Sequence, residues 1–295
     1  MRATILVLGA DGNIGRPLVQ ELLKTGKHIV AGAHNPLHVP EQFKTEPLID
    51  VRRFDFLNAA TFAPALAGVD QVFFVRPPQL SKPKQDMFPF LDAVKAAHVQ
   101  QTVFVSMIGV EKNVVTPHHK IEKYIEKIGL PHTFIRPSFF MQNLSTTHLA
   151  DIRDRHDLFI PAGNALTSFI DARDIAAVAA KALLDPKQYL GQKLAITGGT
   201  AISYEQAAAI MTNVLGVKFT YTHPGLLQFR RTMLKRGIKK DFVNVMVMLY
   251  VITRMGNAKT VTDTVQKVLG RAPISFAQFV ADNADVFLGK TDQAK

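Results

Sequence analysis

Cysteine is absent from the 295 residues, which excludes disulfides, thiolate catalysis and thiolate metal sites and fits a reducing compartment. Long apolar runs are missing too. The longest candidate, Phe242 to Ile252, has Asn244 inside it and falls well short of the ~20 residues that span a bilayer. The first strand begins almost at once, so neither a signal nor a transit peptide is expected, and the expectation is a cytoplasmic protein without a membrane partner. There is no internal repeat, low-complexity tract or long flexible linker. Acidic residues are scarce in one region: between Lys218 and Lys259 nine Lys or Arg stand against Asp241 alone, a balance of nine minus one, or +8, within a chain of net charge +11. Such a cluster can attract nucleic acid, an anionic membrane or an acidic partner. Here it is interleaved with the apolar run and matches no nucleic-acid module, so it reads as a solvated helical face, with no nucleic-acid partner expected.

What the chain has is a full-sized core, with 47% hydrophobic residues, and a marked beginning. The apolar run Ile5-Leu6-Val7-Leu8 leads into GADGNIG, Gly9 to Gly15, and then into a pattern with Leu18, Val19, Leu22 and Leu23 at helical intervals. A buried parallel strand feeding a glycine turn and a helix N-terminus binds a dinucleotide pyrophosphate. Gly9 permits the tight turn, Gly12 lets the backbone approach the phosphates, and Gly15 lets the helix pack on the strand. With Ala10, Asn13 and Ile14 they form the expected cofactor cradle. The spacing is G-x-x-G-x-x-G rather than G-x-G-x-x-G, so the strand-turn-helix context carries the assignment.

Further strand-like runs fall at His28–Ala33, Leu48–Phe54, Gln71–Arg76, Thr102–Ser106 and His132–Arg136, with helical patterns at about Gly15–Thr25, Ala59–Leu66, Lys84–Ala97 and Pro117–Ile128. This alternation predicts an α/β fold: a doubly wound parallel Rossmann sheet with a smaller, mostly helical C-terminal subdomain. The expected organisation is a dinucleotide-binding core over 1–140, the remainder of the core interleaved with cleft-forming segments over 141–200, and a helical substrate subdomain over 201–295 that includes a short strand near Val217–Thr222. Pro77-Pro78 forces an extended exit from the fourth strand at its C-terminal end, so Arg76 and Pro77 should border the cofactor. Asp171 and Asp174 open a helix running to about Leu184 and read as caps of exposed N–H groups.

Several segments together carry a family resemblance: GADGNIGRPLVQELL at 9–23, LAGVDQVFFVRPPQ at 66–79, HHKIEKYIEKIGLPHTFIRPSFFMQNL at 118–144, SFIDARDIAAVAA at 168–180 and GNAKTVTDTVQKVLGRAP at 256–273. The chain resembles the NmrA-like branch of the atypical short-chain dehydrogenase/reductases nearly end to end. The resemblance implies a Rossmann core, a nicotinamide dinucleotide and a small C-terminal domain, and implies fold more securely than activity. By the family pattern Asp55 and Phe56 contact adenine, and the loop from Pro137 through Phe139 and Phe140 to Asn143 lines the nicotinamide pocket. At the end of the second strand an acid would bind a ribose 2′-OH and a base a 2′-phosphate. This strand ends Ala33-His34-Asn35-Pro36, without an acid and with His34 where the family usually has Arg, so NADP(H) is favoured over NAD(H). A solvated loop histidine is the competing reading of His34.

Family members with a full catalytic set use a Tyr and a Lys in Y-x-x-x-K, the cation lowering the phenol's pKa. Alignment through Glu122 puts Val114 at the tyrosine position and His118 at the lysine position. Ser106 occupies the family's active-site Ser/Thr position, and His118 can hold a ribose hydroxyl, supply a proton or simply be a surface residue. No metal site is expected. Two functions follow from the resemblance. One is a reductase passing hydride from NADPH to a small-molecule electrophile such as a quinone or azo compound, which takes its proton from water. The other is a non-enzymatic redox sensor read by a protein partner, as in the founding members of the family. The missing Tyr-x-x-x-Lys pair favours the sensor; on balance the reductase is the leading expectation.

Overall fold

The computed structural model describes residues 3–290. The chain divides into two compact units, one of Met1–Pro137 with Ala172–Ala195, the other of Ser138–Asp171 with Ile196–Lys295. A seven-stranded sheet runs in the order β3-β2-β1-β4-β5-β6-β7, with β1 Thr4–Leu8, β2 His28–Ala33, β3 Ile49–Arg53, β4 Gln71–Val75, β5 Gln101–Val105, β6 His132–Pro137 and β7 Lys193–Ile196. The pairings β1 with β2 and β4, β2 with β3, and β5 with β4 and β6 are parallel. Ile5, Leu6 and Val7 have no exposed surface, as a central parallel strand covered on both faces requires. The order reverses between β1 and β4, which makes the carboxyl ends of those strands the crevice where ligands bind in such sheets.

In the first unit, helix α1 (Gly15–Leu23) buries Leu18, Val19 and Leu22 and packs against the helix Ala172–Leu184. That second helix offers Ala172, Ala176, Ala179 and Ala182 among its buried residues, small side chains that allow close approach. Its last carbonyls are satisfied by the sheet. Gln71 Nε2 donates to Gln101 Oε1 (2.7 Å) and to the Leu183 carbonyl (2.8 Å), while Gln101 Nε2 donates to Thr133 Oγ1 (3.0 Å) and to the Ala182 carbonyl (3.1 Å). Two buried glutamines thus take the place of a helix C-cap. On the other face of the sheet Phe54, Phe74, Phe90 and Phe104 pack together, Phe74 stacked on Phe104 at 4.7 Å between ring centroids.

The second unit is mostly helical, with Leu149–Arg155, Tyr204–Leu215, Leu226–Lys235, Lys240–Ile252 and Phe276–Asp282 enclosing Tyr204, Phe229, Tyr250 and Phe279. Asp151, almost fully buried, accepts both terminal nitrogens of Arg236 at 2.7 Å. Among the described residues no helix is long and apolar enough to cross a membrane.

Some local expectations are corrected. The pattern at Lys84–Ala97 is two helices, Pro83–Asp86 and Phe88–Ala96, broken at Met87, because Pro89 has no N–H to return to the Gln85 carbonyl. The segment Ala59–Leu66 starts as a 3-10 turn, Ala59–Thr61, before becoming α-helical at Phe62–Leu66. Val217–Thr222 forms no strand: Thr220 alone bridges to Asp157, and the Asp157 carboxylate takes the Thr222 N–H at 3.1 Å, ending the ladder.

Candidate functional site

The glycine turn is built as its spacing requires. Gly9 has φ +71°, and its N–H donates to the Gly32 carbonyl of β2 at 2.9 Å, while Gly12 N–H returns to the Gly9 carbonyl at 2.9 Å. A Cβ on Gly15 would lie 2.0 Å from the Gly9 oxygen, and one on Gly12 would lie 3.2 Å from it, so helix and turn touch through bare backbone. Among the described residues the N–H groups of Asn13, Ile14 and Gly15 have no acceptor, and α1 has no acidic residue in its first turn. Three free donors at the positive end of a helix suit a pyrophosphate. Ala10 and Ile14 are buried beneath the turn.

The carboxyl ends of the next strands bring the other expected residues to the same edge of the sheet. His34 follows β2 with its side chain 77% exposed, and its Nδ1 stands 3.6 Å from Asp55 Oδ2, beyond β3. An acid therefore stands beside His34, contributed by the segment after β3 rather than by β2, and the sequence reading did not pair the two. Asp55 is held by its own turn: its Oδ1 accepts the Leu57 N–H at 2.9 Å and its N–H donates to Thr61 Oγ1 at 3.1 Å. Phe56 is half-buried, edge-on to Phe54 and Phe90 at 4.8 and 5.3 Å.

Arg76, after β4, turns inward. Its Nη1 donates to the carbonyls of Pro77 (2.8 Å), Pro78 (3.1 Å) and Leu80 (2.9 Å), so the guanidinium stiffens the double-proline loop. Burial lowers its pKa to about 10, partly offset by Asp86. Ser106, after β5, is 4% exposed, and its Oγ has no hydrogen-bond partner among the described residues. A buried hydroxyl without a partner is costly, and a ligand atom would relieve it.

His118 lies in the first turn of the helix Pro117–Lys127, which Thr116 caps by accepting the His119 N–H at 3.3 Å. The imidazole stacks on Phe104 at 6.1 Å. Burial, reinforced by the Arg76 charge, lowers its pKa to about 3, so it is neutral through the physiological range. At the family's lysine position this chain therefore has a side chain with one N–H and no charge. Val114 points away into solvent at 59% exposure, leaving no acid at the tyrosine position.

Pro137 ends β6 and is buried. Phe139 and Phe140 belong to the second unit, where Ile170 N–H donates to the Phe139 carbonyl and Met141 N–H to the Ile170 carbonyl, both at 2.9 Å. Asp171 has no exposed surface and accepts Gln142 Nε2 at 2.9 Å, and Asp174 is fully buried. Sequence reasoning missed the buried ion pair next to the site: Arg136 Nη2 meets Glu122 Oε2 at 2.6 Å and its Nε meets Oε1 at 3.0 Å. Its signal was an acid on the apolar face of an amphipathic helix.

The chain is similar to known proteins over nearly their whole length. The chain is 31% identical over 290 residues to the NAD(P)H azoreductase of Xenophilus azovorans, covering 96% of this chain and 99% of that one. Among solved structures it superposes on the NADPH-dependent quinone oxidoreductase of Escherichia coli in complex with NADPH, with a TM-score of 0.83, 22% identity and coverage of 94% and 99%. It also superposes on NmrA, a negative transcriptional regulator, in complex with NADP, with a TM-score of 0.77, 17% identity and coverage of 98% and 97%. At these identities the two superpositions speak for the fold. The NmrA-like family matches residues 1–272, and with the glycine cradle, the reversal of strand order and the residues gathered at that edge, the chain belongs to the NmrA-like family.

Proposed function

We propose that this protein binds NADP(H) at the Gly9–Gly15 cradle and reduces a quinone- or azo-type electrophile without a tyrosine acid. The observation that carries the binding is the set of free N–H groups at Asn13, Ile14 and Gly15. Gly9, Ala10 and Gly12 bring the backbone close to the pyrophosphate, His34 donates to the 2′-phosphate, and Asp55 with Phe56 borders the adenosine. A reduced nicotinamide supplies a hydride. Ser106 Oγ, buried and unsatisfied, orients an acceptor oxygen or nitrogen by donating to it. Neutral His118 positions a ribose hydroxyl with its single N–H, beside the loop that Arg76 and Pro77 stiffen. Neither residue has a proton to spare at neutral pH, so the acceptor must tolerate a proton arriving from water. A quinone does, since its reduced anion is stable enough to wait; an aldehyde does not.

The relative named an azoreductase supports this class of acceptor. Steady-state NADPH oxidation against quinones, azo dyes and aldehydes tests it, with turnover expected for the first two groups. The likeness to NmrA favours a second reading, a dinucleotide-dependent sensor acting through a protein partner. Tight dinucleotide binding with no turnover of any acceptor would decide for that reading.

A further inference from the structure

Within the second unit, the turn Pro161–Ala165 and Arg254 form a concave site with donors and no acceptor of matching charge. An open cavity of about 410 Å³ is lined by Ala162, Gly163, Asn164, Ala165 and Arg254. Gly163 adopts φ +58°, and the turn closes through the Ala165 N–H on the Ala162 carbonyl at 3.3 Å. The Gly163 carbonyl is taken up by the Tyr221 hydroxyl at 3.0 Å. Among the described residues the N–H groups of Gly163 and Asn164 have no acceptor. Successive backbone N–H groups around a left-handed residue form a concavity that receives anions.

Arg254 completes the site. Its Nε donates to the Pro161 carbonyl at 2.8 Å and its Nη2 to the Pro224 carbonyl at 3.4 Å, two bonds that fix the plane of the guanidinium. A Cβ on Gly163 would lie 3.6 Å from its Nε and 3.8 Å from its Cζ, so the cation lies flat against the turn. Glu205, whose charge acts on the neighbouring Tyr221, is engaged by His223, and no carboxylate pairs with Arg254 among the described residues. The surrounding segment 218–259, nine cations to one acid, adds to the positive potential. A guanidinium held against a turn that carries two such N–H groups, with its Nη1 not engaged by either carbonyl, is suited to a planar or tetrahedral oxyanion.

We infer that Gly163, Asn164 and Arg254 form a binding site for one oxyanion group, a phosphate, sulfonate or carboxylate. The group comes either from a free ion or from the molecule being reduced, and only the second source rests on the reductase reading. The site is tested first without turnover. Inorganic phosphate is titrated at constant ionic strength into the ¹⁵N-labelled full chain, following the Gly163 and Asn164 amides and the Arg254 Nε–H. Saturable shifts are expected at all three. Arg254→Gln should weaken phosphate binding by about tenfold or more, and Arg254→Lys, which keeps charge but not the fork, should fall between. Lys259→Gln, the same charge change at an exposed lysine in the same region, should have little effect. No saturable shift, or equal loss from Lys259→Gln and Arg254→Gln, would overturn the proposal. Because Arg254 also holds two carbonyls, thermal midpoints accompany each variant; if the glutamine form is unfolded, the lysine form decides.

The source is read separately from kcat/KM for a naphthoquinone sulfonate and the unsulfonated quinone. If the oxyanion is part of the acceptor, Arg254→Gln should lower the ratio between the two by about tenfold. A ratio unchanged alongside lost phosphate binding assigns the site to a free oxyanion. An enzyme inactive with both quinones removes the reductase reading and leaves the phosphate titration standing.

Discussion

His34 Nδ1 lies 3.6 Å from Asp55 Oδ2, joining the ends of β2 and β3 where a dinucleotide's ribose is expected. With the dinucleotide placed as proposed, the imidazole would favour a 2′-phosphate and the carboxylate oppose it, which would make selectivity a balance between two side chains rather than the property of one. At about 4 Å in a solvent-like dielectric two unit charges exchange about 1 kcal/mol, a factor of about five in affinity. Asp55→Asn should therefore raise the preference for NADPH over NADH by about fivefold, and His34→Ala should lower it by a similar factor. Calorimetric titration of each variant with both cofactors measures this. An Asp55→Asn protein with an unchanged ratio would remove the carboxylate from the argument.

The glycine cradle makes a sharper demand. Gly12→Val places a branched side chain against the Gly9 carbonyl, already 3.2 Å from a bare Cβ, and blocks backbone approach to the pyrophosphate. Dinucleotide affinity should drop about tenfold or more with the fold retained. Gly15→Ala differs in kind: its Cβ would lie 2.0 Å from the Gly9 oxygen. Forced displacement of the helix should cost about 1–3 kcal/mol, visible as a lower thermal midpoint even without cofactor.

These contrasts show what a sequence carries. The run Ile5–Leu8 and the alternation of strands and helices are one-dimensional signals, and they suffice for the parallel sheet; β2 falls at His28–Ala33 as read. The glycine turn was legible because each glycine answers a local backbone requirement. The His34–Asp55 pairing was not, since the two residues are brought together only by the β2–β3 register, Ala33 opposite Arg53. The capture of Arg76 Nη1 by the carbonyls of Pro77, Pro78 and Leu80 was not legible either, since loop geometry decides it. The neutrality of His118 depends on Phe104 and Arg76, and neither is near it in sequence.

The pair Arg136–Glu122 sits at the end of β6 with side chains 13% and 5% exposed. Glu122 is tied to both Nε and Nη2, whereas the outer Glu111 touches Nη1 at 3.3 Å and is half in solvent. Glu122→Ala leaves a cation in the protein with one weak partner. A loss of about 3 kcal/mol is expected, against less than about 1 kcal/mol for Glu111→Ala. Urea unfolding of both variants tests the difference, and equal losses would mean that Glu111 carries as much as the inner carboxylate.

Acid sensitivity should come from histidines. Burial lowers the His148 pKa to about 4, although Asp151 opposes the shift, and its Nε2 shares a buried hydrogen bond with the Tyr250 hydroxyl. His118 is lowered to about 3. Each folded-state value lies below the unfolded value of ~6.5, so between those limits the unfolded chain binds the proton that the folded chain refuses. Their contribution is complete above pH ~6.5 and declines as pH falls, by at most about 1.4 kcal/mol per pH unit for each histidine. Thermal midpoints from pH 7.5 down to 4.5 should fall, and the fall should be shallower in His148→Gln. An identical slope would show that carboxylates alone govern acid unfolding.

The same neutrality bears on the role proposed for His118 in reduction. An imidazole with a pKa of about 3 cannot protonate a product at neutral pH, and Val114 offers no phenol in its place. His118→Ala should then lower quinone turnover only severalfold, through looser positioning of the ribose, and leave the pH profile above pH ~5 unchanged. General acid catalysis predicts a loss of about 10²–10⁴-fold with a shifted profile. Comparing acceptors separates the cases, since the alkoxide formed from an aldehyde needs a proton at once whereas a hydroquinone anion does not. Brisk aldehyde reduction that collapses on removal of His118 would refute the quinone-type mechanism, because it would make a proton donor of a neutral imidazole, whose one N–H can be given up only by leaving an imidazolate.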